Sequence, residues 1–275
     1  MRKYFILLAV SIVASVCHAD TLNVVFTGDI LLDRGVRRVI DKHGVDHLFT
    51  EGVDSVFRSA QVVVGNLECP ATKIQSPVQK LYIFRGEPEW LEALKRHGIT
   101  HLNLANNHSI DQGREGLIDT RQNIINTGIT AIGAGANMTE AAEPVLLSRT
   151  PRNVWLVPSL RLALENYAYL PDKPCVSQEP MDSLLNRVHR LRKADSTAVI
   201  IVSLHWAVSI PCIPSTANGG TRVKLSVLVP TCWYVITRTL CRTSRTSTAI
   251  ACFTASETSS STNRNLKTQR RVSYD

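Results

Sequence analysis

The fold is decided by the stretch Thr100–Gly113, which reads Thr-His-Leu-Asn-Leu-Ala-Asn-Asn-His-Ser-Ile-Asp-Gln-Gly. A short apolar run is followed by three adjacent polar residues, Asn106, Asn107 and His108, and Asp111 comes three places after the histidine. This pattern predicts a buried strand that ends in a functional site, because ligands of open α/β sheets bind beyond the carboxyl ends of the strands. The alternative is a turn in which Asn and Asp shape the backbone and His108 lies at the surface.

Strand-like and helix-like patterns alternate on both sides of this stretch. The predicted strands are Leu22–Thr27, Ala60–Val64, Ile129–Gly133, Asn153–Val157 and Ala198–Leu204, and the predicted helices are Arg34–His43, Pro88–Gly98, Leu117–Ile125 and Leu184–Lys193. The alternation predicts a layered α/β domain with a mainly parallel or mixed sheet.

The N-terminus has the features of a secretory signal peptide. Met1-Arg2-Lys3 precedes an apolar run from Tyr4 to Val16, and Cys17-His18-Ala19 follows. The apolar run is too short to span a bilayer comfortably, so we expect a signal peptide at residues 1–19 and an exported protein in the periplasm, the envelope or the medium. Attachment of a lipid at Cys17 is the alternative, although Val16 is bulky for that processing site.

Cysteine usage does not indicate a disulfide framework. The chain has seven cysteines, which in an exported protein favour disulfides. However, one belongs to the signal peptide and four fall in the C-terminal segment 207–275, so that only Cys69 and Cys175 remain in the body.

The net charge is unevenly distributed. The chain carries a formal charge of +8, but residues 207–275 hold nine Lys and Arg against two acids, and the rest is close to neutral. A nucleic-acid-binding face should lie on patterned elements, and this segment has little periodicity, so we predict no nucleic-acid partner. The segment is either a disordered basic tail or a sequence with which the domain did not evolve, and its scattered cysteines and Trp233 favour the second interpretation.

Four strand ends carry side chains that bind metals. Asp29, Glu68, Asn107 with His108, and His205 each follow an apolar run. Carboxylate, amide and imidazole groups at one sheet edge are the ligands that a pair of divalent ions needs, whether Mg, Mn, Zn or Fe. The alternatives are a helix cap for Asp29, a solvated turn for Glu68 and a core position for His205.

These motifs, in this order, resemble the CapA family of poly-γ-glutamate capsule synthesis proteins, which are similar to calcineurin-like metallophosphatases. The resemblance rests on Gly28-Asp29 with Arg34, Gly65–Glu68, Asn106–His108 with Asp111 and Gly113, and His205-Trp206. It covers about residues 22–206, and we place the corresponding domain at residues 20–206. It implies an α/β fold, a metallophosphatase-like layered sandwich that is incomplete at its C-terminus.

The resemblance also implies roles for individual residues. Asp29, Glu68, Asn107 and His205 become metal ligands for two divalent ions, His108 a general acid or charge stabiliser oriented by Asp111, and Arg34 and Asn106 substrate-binding residues. The implied substrate is poly-γ-glutamate, another anionic γ-glutamyl polymer or a phosphoester, and the implied partner is a membrane-bound synthase complex. The implied reaction is metal-dependent hydrolysis or transfer.

The chain departs from the family pattern after Trp206. The pattern continues with a histidine-rich motif that completes the metal site, but no histidine follows His205. Our hypothesis is that a frameshift replaced residues 207–275. The chain as written should then show weak or absent catalysis, because the second metal loses imidazole ligands and the strand at Ala198–Leu204 loses its sheet partners. A non-catalytic envelope component that binds an anionic polymer or a synthase partner is the competing function.

Overall fold

The structure is a computed structural model, and it describes residues 21–164, 169–206, 232–237 and 251–255. The predicted signal peptide, Cys17 and most of the segment 207–275 lie outside the described residues. The strands are β1 Leu22–Ile30, β2 Val62–Leu67, β3 His101–Asn103, β4 Thr130–Ile132, β5 Ala134–Gly135, β6 Val145–Ser148, β7 Val154–Leu160, β8 Cys175–Val176, β9 Val199–His205, β10 Cys232–Thr237 and β11 Ala251–Ala255. The α-helices are α1 Arg34–His43, α2 Glu51–Arg58, α3 Leu91–Arg96, α4 Gly113–Asn126, α5 Met138–Ala141 and α6 Met181–Ala194.

Two larger sheets and one small sheet contain these strands. The first sheet has the order β11-β1-β2-β3-β4, with β1 to β4 parallel and β11 antiparallel to β1. The second has the order β10-β9-β7-β6, with β10, β9 and β7 parallel and β6 antiparallel. Strands β5 and β8 form a separate antiparallel pair.

The apolar residues divide the molecule into layers. Side chains alternate along each strand, so one face of the first sheet packs on the helices through Val25 and Val63, while Val24 and Val64 face the second sheet. The second sheet in turn packs on α6 through a cluster that includes Val202. The predicted layered α/β sandwich is confirmed, with helices on one side, two sheets in the middle and a helix on the other side.

The ends of helix α1 follow from single residues. Asp33 caps its N-terminus, because one carboxylate oxygen accepts a hydrogen bond from the backbone N–H of Arg34. Gly44 ends it in a left-handed conformation, with φ of 85°, and its N–H donates to the carbonyl of Ile40. The predicted helix Arg34–His43 therefore has the observed bounds, whereas α2, which Thr50 caps, was not predicted.

One prediction about the C-terminal segment is wrong. We expected the strand at Ala198–Leu204 to lack a neighbour, because residues 207–275 depart from the family pattern. Instead β10 lies parallel to β9, and the register pairs Cys232 with Ile200 and Thr237 with His205. In the part of the chain that the structure describes, no helix is long and apolar enough to span a membrane.

Candidate functional site

The predicted strand ends meet at one edge of the sandwich. In the register of the first sheet, Asp29 lies beside Asn66, and Asn66 lies beside Asn103, which begins the turn into the His108 loop. His205 ends β9 in the second sheet and faces the same gap, because Ile201, four residues earlier on the same side of the strand, packs between the sheets. Both sheets therefore contribute side chains to the same cleft.

His205 lies at the centre of this cleft and is completely buried. Its Nε2 atom lies 2.9 Å from Oδ1 of Asn107 and 3.8 Å from Oε1 of Glu68. Its Nδ1 atom lies 3.3 Å from Nδ2 of Asn66 and 4.0 Å from Oδ1 of Asp29. Because the Asn66 amide nitrogen can only donate, Nδ1 accepts in this tautomer and Nε2–H donates to Asn107. Ligation of a cation through Nε2 requires the other tautomer, in which the hydrogen is on Nδ1, on the side of the Asp29 carboxylate.

The electrostatic surroundings keep the His205 ring neutral. Burial lowers the pKa of His205 to about 4, although the nearby Asp29 carboxylate acts in the opposite direction and His108 adds to the lowering. A buried imidazole that is neutral at physiological pH is in the protonation state that metal ligation requires.

The structure thus brings the three other predicted metal ligands to the His205 imidazole, but on two sides of it. Glu68 and Asn107 face Nε2, whereas Asp29 faces Nδ1, and Asn66 donates to Oδ1 of Asp29 at 2.7 Å. Among the described residues, no three His, Cys, Asp or Glu side chains are close enough together to hold a metal ion on their own. The amide oxygen of Asn107 is therefore needed to complete a set of three donors.

His108 lies in the same cleft and is held by charged groups. Its Nδ1–H donates to Oδ2 of Asp111, the residue that the resemblance implies would orient it, at 2.8 Å. Lys80 donates to Oδ1 of Asp111 at 2.9 Å and to the backbone oxygen of Asn107 at 2.7 Å, and its Nζ lies 3.2 Å from His108 Nδ1. The Lys80 and Asp111 side chains are 5% and 0% exposed, so this is a buried ion pair. Sequence reasoning missed Lys80.

Aromatic residues connect His108 to the surface. The Phe84 ring lies 4.2 Å from the His108 ring, and the backbone N–H of Phe84 donates to Asp111. The guanidinium of Arg34 lies over the rings of Phe84 and Tyr82, at 4.9 and 4.8 Å from their centroids. Arg34, predicted to bind an anionic substrate, is therefore one aromatic ring away from His108.

The environment of Asn106 contradicts the substrate-binding role that the sequence predicted for it. Asn106 is completely buried, and its amide donates to the backbone oxygen of Leu67 and to Oδ1 of Asn66. Its own Oδ1 accepts from the backbone N–H of His108. Because the N–H and C=O groups of its side-chain amide are bonded inside the protein, the Asn106 side chain positions Asn66 and the His108 loop and does not face a substrate.

Close backbone packing shapes the turn that precedes His108. Gly133 has a φ of 82°, and a Cβ atom at this position would lie 2.7 Å from Oδ1 of Asn103 and 2.8 Å from the backbone nitrogen of Ala105. Asn103 Oδ1 accepts a hydrogen bond from that nitrogen. Only glycine therefore fits where the end of β4 lies against this turn.

The structure also decides between alternatives that the sequence left open. Asp29 lies in β1 and caps no helix, since that role belongs to Asp33. Glu68 is only 6% exposed and is therefore not a solvated turn residue. Cys69 and Cys175 are buried and unpaired, and burial raises the pKa of the Cys69 thiol to about 12.

Comparisons with known proteins agree with the predicted family. Residues 23–217 match the model of a family described as bacterial capsule synthesis protein PGA_cap, so the match extends past residue 206. The chain is 33% identical to the PGA biosynthesis protein CapA of Bacillus subtilis strain 168, over 46% of this chain and 33% of the relative. It is 26% identical to the capsule biosynthesis protein CapA of Bacillus anthracis, over 74% of this chain and 51% of the relative.

More distant matches were also found. A probable polyglutamine synthesis accessory protein of Mycobacterium tuberculosis is 24% identical, over 69% of this chain and 61% of the relative. A solved structure of a putative 5′-nucleotidase from Staphylococcus aureus, in complex with alpha-ketoglutarate, superposes with a TM-score of 0.46 and 10% identity, over 90% of this chain and 53% of the other. The chain spans between a third and about three fifths of the length of these curated relatives. The extent of the family match shows that the chain belongs to the bacterial capsule synthesis protein family PGA_cap.

Proposed function

We propose that this chain binds one divalent cation through Glu68, Asn107 and His205 and acts as a metal-dependent hydrolase or transferase on an anionic γ-glutamyl polymer. The observation that carries the proposal is the convergence of a carboxylate and an amide oxygen on the buried Nε2 atom of His205, in the same cleft as His108. We also propose, from the sequence, that the protein is exported and works beside a membrane-bound synthase.

The donor set fits a divalent cation. Two ligands that each lie about 2.1 Å from one ion are separated by about 3 Å when adjacent and by about 4.2 Å when opposite. The observed separations from His205 Nε2, 2.9 Å to Asn107 and 3.8 Å to Glu68, lie in or close to this range. One carboxylate, one amide oxygen and one imidazole suit Mn²⁺, Zn²⁺ or Fe²⁺.

The donor set supports one ion better than the two that the resemblance implies. Asp29 faces Nδ1 of His205, on the opposite side of the ring from Glu68 and Asn107. No histidine follows His205 in the sequence to complete a second set of ligands. Asp29 would therefore bind a second ion, separate from the one at Nε2, whose set of ligands is incomplete. We expect only the ion at Nε2 to be bound tightly.

Each side chain of the cleft has a defined task in this proposal. A bound cation would polarise the bond to be cleaved and lower the pKa of a coordinated water. Asp111 fixes the proton of His108 on Nδ1, so Nε2, which has no hydrogen-bond partner among the described residues, is free to exchange a proton with the leaving group or with water. The exposed Arg34 guanidinium would bind a carboxylate of the polymer.

Metal titration tests the binding step. Calorimetric titration with Mn²⁺ or Zn²⁺ should show one site per chain, and the substitution His205→Asn should weaken binding by at least about tenfold. His189→Asn, which removes an exposed imidazole on α6, is the matched control and should bind the metal like the wild type. Equal affinity in the His205→Asn and wild-type proteins would disprove the proposed site.

Turnover of a γ-linked glutamate oligomer, followed by the release of amino groups, tests the catalytic step. We expect slow turnover that falls by about 10² or more in the His108→Asn protein. Phosphodiester cleavage without γ-glutamyl cleavage would instead assign a phosphoester substrate. Metal binding without any turnover would identify the protein as a non-catalytic component that binds the polymer.

A further inference from the structure

Arg34 is held in an unusual and strained position. It is a non-glycine residue with a φ of 55°, in the left-handed region that costs about 1 kcal/mol or more for residues other than glycine. Asp33 holds the surrounding backbone, because its carboxylate accepts hydrogen bonds from the backbone N–H groups of Arg34 and Arg85. Strain that the surrounding structure maintains is typical of functional positions.

The guanidinium of Arg34 has the geometry of a prepared anion-binding group. Its Cζ atom lies over the rings of Tyr82 and Phe84, and within the described ranges its N–H groups have no carboxylate or carbonyl partner. The neighbouring Arg37, by contrast, is fully occupied by Asp33 and Glu87. The planar edge of Arg34, which matches the two oxygens of a carboxylate, is therefore free.

Two more cations continue from Arg34 along the same side of α1. Arg38 and Lys42 follow at intervals of four residues, which places all three on one helix face. All three are exposed, and Arg38 and Lys42 have no ion pair within the part of the chain that the structure describes. Asp41 lies on the same helix without pairing with either. The result is a line of three cations that begins next to His108.

The spacing of this line matches a γ-linked polymer. Four residues of α-helix rise by about 6 Å. A γ-linked glutamate residue has two more backbone bonds than an α-linked one, so its extended repeat is about 6 Å rather than about 3.5 Å. Each repeat carries one free carboxylate, so successive carboxylates of an extended chain would meet successive cations of α1.

We propose that Arg34, Arg38 and Lys42 form a binding track for three successive carboxylates of a γ-glutamyl polymer, with Arg34 binding the carboxylate nearest to His108. The polymer class rests on the proposed function, whereas the track rests on the geometry of α1 and of Arg34. The track delivers the polymer to the cleft in an extended form.

Binding of labelled γ-linked glutamate oligomers, from the monomer to the hexamer, tests the track. In the wild type, affinity should rise up to the trimer and change little beyond it. The double substitution Arg38→Gln and Lys42→Gln should remove the rise beyond the monomer, with a loss of about two- to fivefold per cation at low ionic strength. Arg34→Gln should weaken binding of every oligomer, the monomer included.

The control is a pair of substitutions that change the charge equally at another place. Arg190→Gln with Lys193→Gln removes two cations from α6, on the far side of the second sheet, and should preserve the dependence on length. If the α1 and α6 variants lost the dependence of affinity on oligomer length to the same extent, net charge alone would explain it and the track would be disproved. If inorganic polyphosphate bound through Arg38 and Lys42 and the γ-glutamyl oligomers did not, the proposal that the track binds carboxylates would be disproved.

The same proteins are titrated with Mn²⁺, so the two proposals can fail separately. The α1 variants should bind the metal like the wild type, because Arg34, Arg38 and Lys42 are not part of the proposed donor set of Glu68, Asn107 and His205. Loss of the length dependence with metal binding intact supports the track. Metal binding by the wild type without any rise in affinity from monomer to trimer disproves the track alone, and absence of metal binding by the wild type disproves the metal site.

Discussion

The two histidines of the cleft are held in opposite ways. His108 is anchored through charges, since Asp111 accepts its Nδ1–H and Lys80 balances that carboxylate. His205 is held between two neutral amides, those of Asn66 and Asn107, and its nearest carboxylate oxygen lies 3.8 Å away. A carboxylate that fixes the proton on one nitrogen prepares the other for proton exchange, whereas a neutral amide cage keeps an imidazole available for a cation. The difference assigns proton transfer to His108 and ligation to His205.

The largest loss of stability should come from removing Lys80, whose charge balances the Asp111 carboxylate beside His108. Lys80→Met leaves the Asp111 carboxylate buried without its partner, which should lower the free energy of unfolding by about 3–5 kcal/mol. Urea denaturation measures this loss. Lys73→Met is the control, because the Lys73 side chain is 61% exposed in its ion pairs, which solvent screens, so its loss should cost far less stability than that of Lys80. Equal losses in the two variants would show that the charges around His108 are not a buried network.

Substitution of the adjacent residues Asn106 and Asn107 should have different effects, because Asn106 has a structural role and Asn107 is a proposed metal ligand. Asn106→Ala leaves several buried hydrogen-bonding groups without partners and should cost about 2–4 kcal/mol of stability. Asn107→Ala should cost about 1 kcal/mol, yet reduce the affinity for Mn²⁺ more than Asn106→Ala does, when compared at a temperature where both are folded. Denaturation ranks the two variants by loss of stability, and calorimetry ranks them by loss of affinity for Mn²⁺. If the same variant had the larger loss in both measurements, Asn106 would not be a structural residue and Asn107 a ligand.

The burial of His205 predicts a stability that depends on pH. Burial lowers the pKa of His205 to about 4 in the folded protein. When the pH is below the ordinary pKa of histidine, this side chain therefore binds a proton more readily in the unfolded chain than in the folded one. Stability is therefore retained above about pH 6.5 and lost as the pH falls toward 4, by about 1–2 kcal/mol at pH 5. Denaturation at pH 7.5 and 5 in the presence of a chelator measures the loss. His205→Asn should reduce it, and the exposed His189→Asn should leave it unchanged.

His101 gives an independent check on this pH dependence. Burial, with Lys95 nearby, lowers its pKa to about 4 as well, but it lies in β3 outside the proposed donor set. His101→Asn should therefore reduce the loss of stability at low pH without changing the affinity for the metal. A change in metal affinity in this variant would show that the donor set extends beyond Glu68, Asn107 and His205.

The smallest expected effect is that of His108 on metal binding. If His108 exchanges protons and His205 binds the ion, His108→Asn should change the dissociation constant for Mn²⁺ by no more than about twofold. Calorimetric titration beside the His205→Asn protein makes the comparison direct. A loss of affinity in His108→Asn as large as that in His205→Asn would mean that both histidines bind the metal.

The sequence predicted the positions of the site residues better than their tasks. Asp29, Glu68, Asn107 and His205 each end or follow an apolar run, and parallel strands bring such ends to one edge, so their convergence could be predicted from local pattern and topology. Asn106 looks like its neighbour in the sequence, and only the packing shows that one amide faces inward and the other faces His205.

Lys80 and Phe84 could not be predicted in the same way. They lie in the stretch between β2 and the short 3-10 helix Pro88–Trp90, which has neither helical nor strand periodicity. The burial of Lys80 depends on Asp111, which lies 31 residues away in the sequence. Local sequence patterns cannot predict a pair of residues so far apart. The pairing of β10 with β9 was also missed, because the apolar run Val223–Ile236, which contains most of β10, is interrupted by Pro230 and shows no clear strand pattern.

The most direct test of the central claim is the position of a bound ion. Crystals of the protein grown with Mn²⁺ or Zn²⁺, and measured at the absorption edge of that metal, should give one strong anomalous peak at about 2.0–2.3 Å from Nε2 of His205, within reach of Glu68 and Asn107. A peak bonded only to Asp29 and other residues, or the absence of any peak in this cleft at saturating metal, would contradict the account.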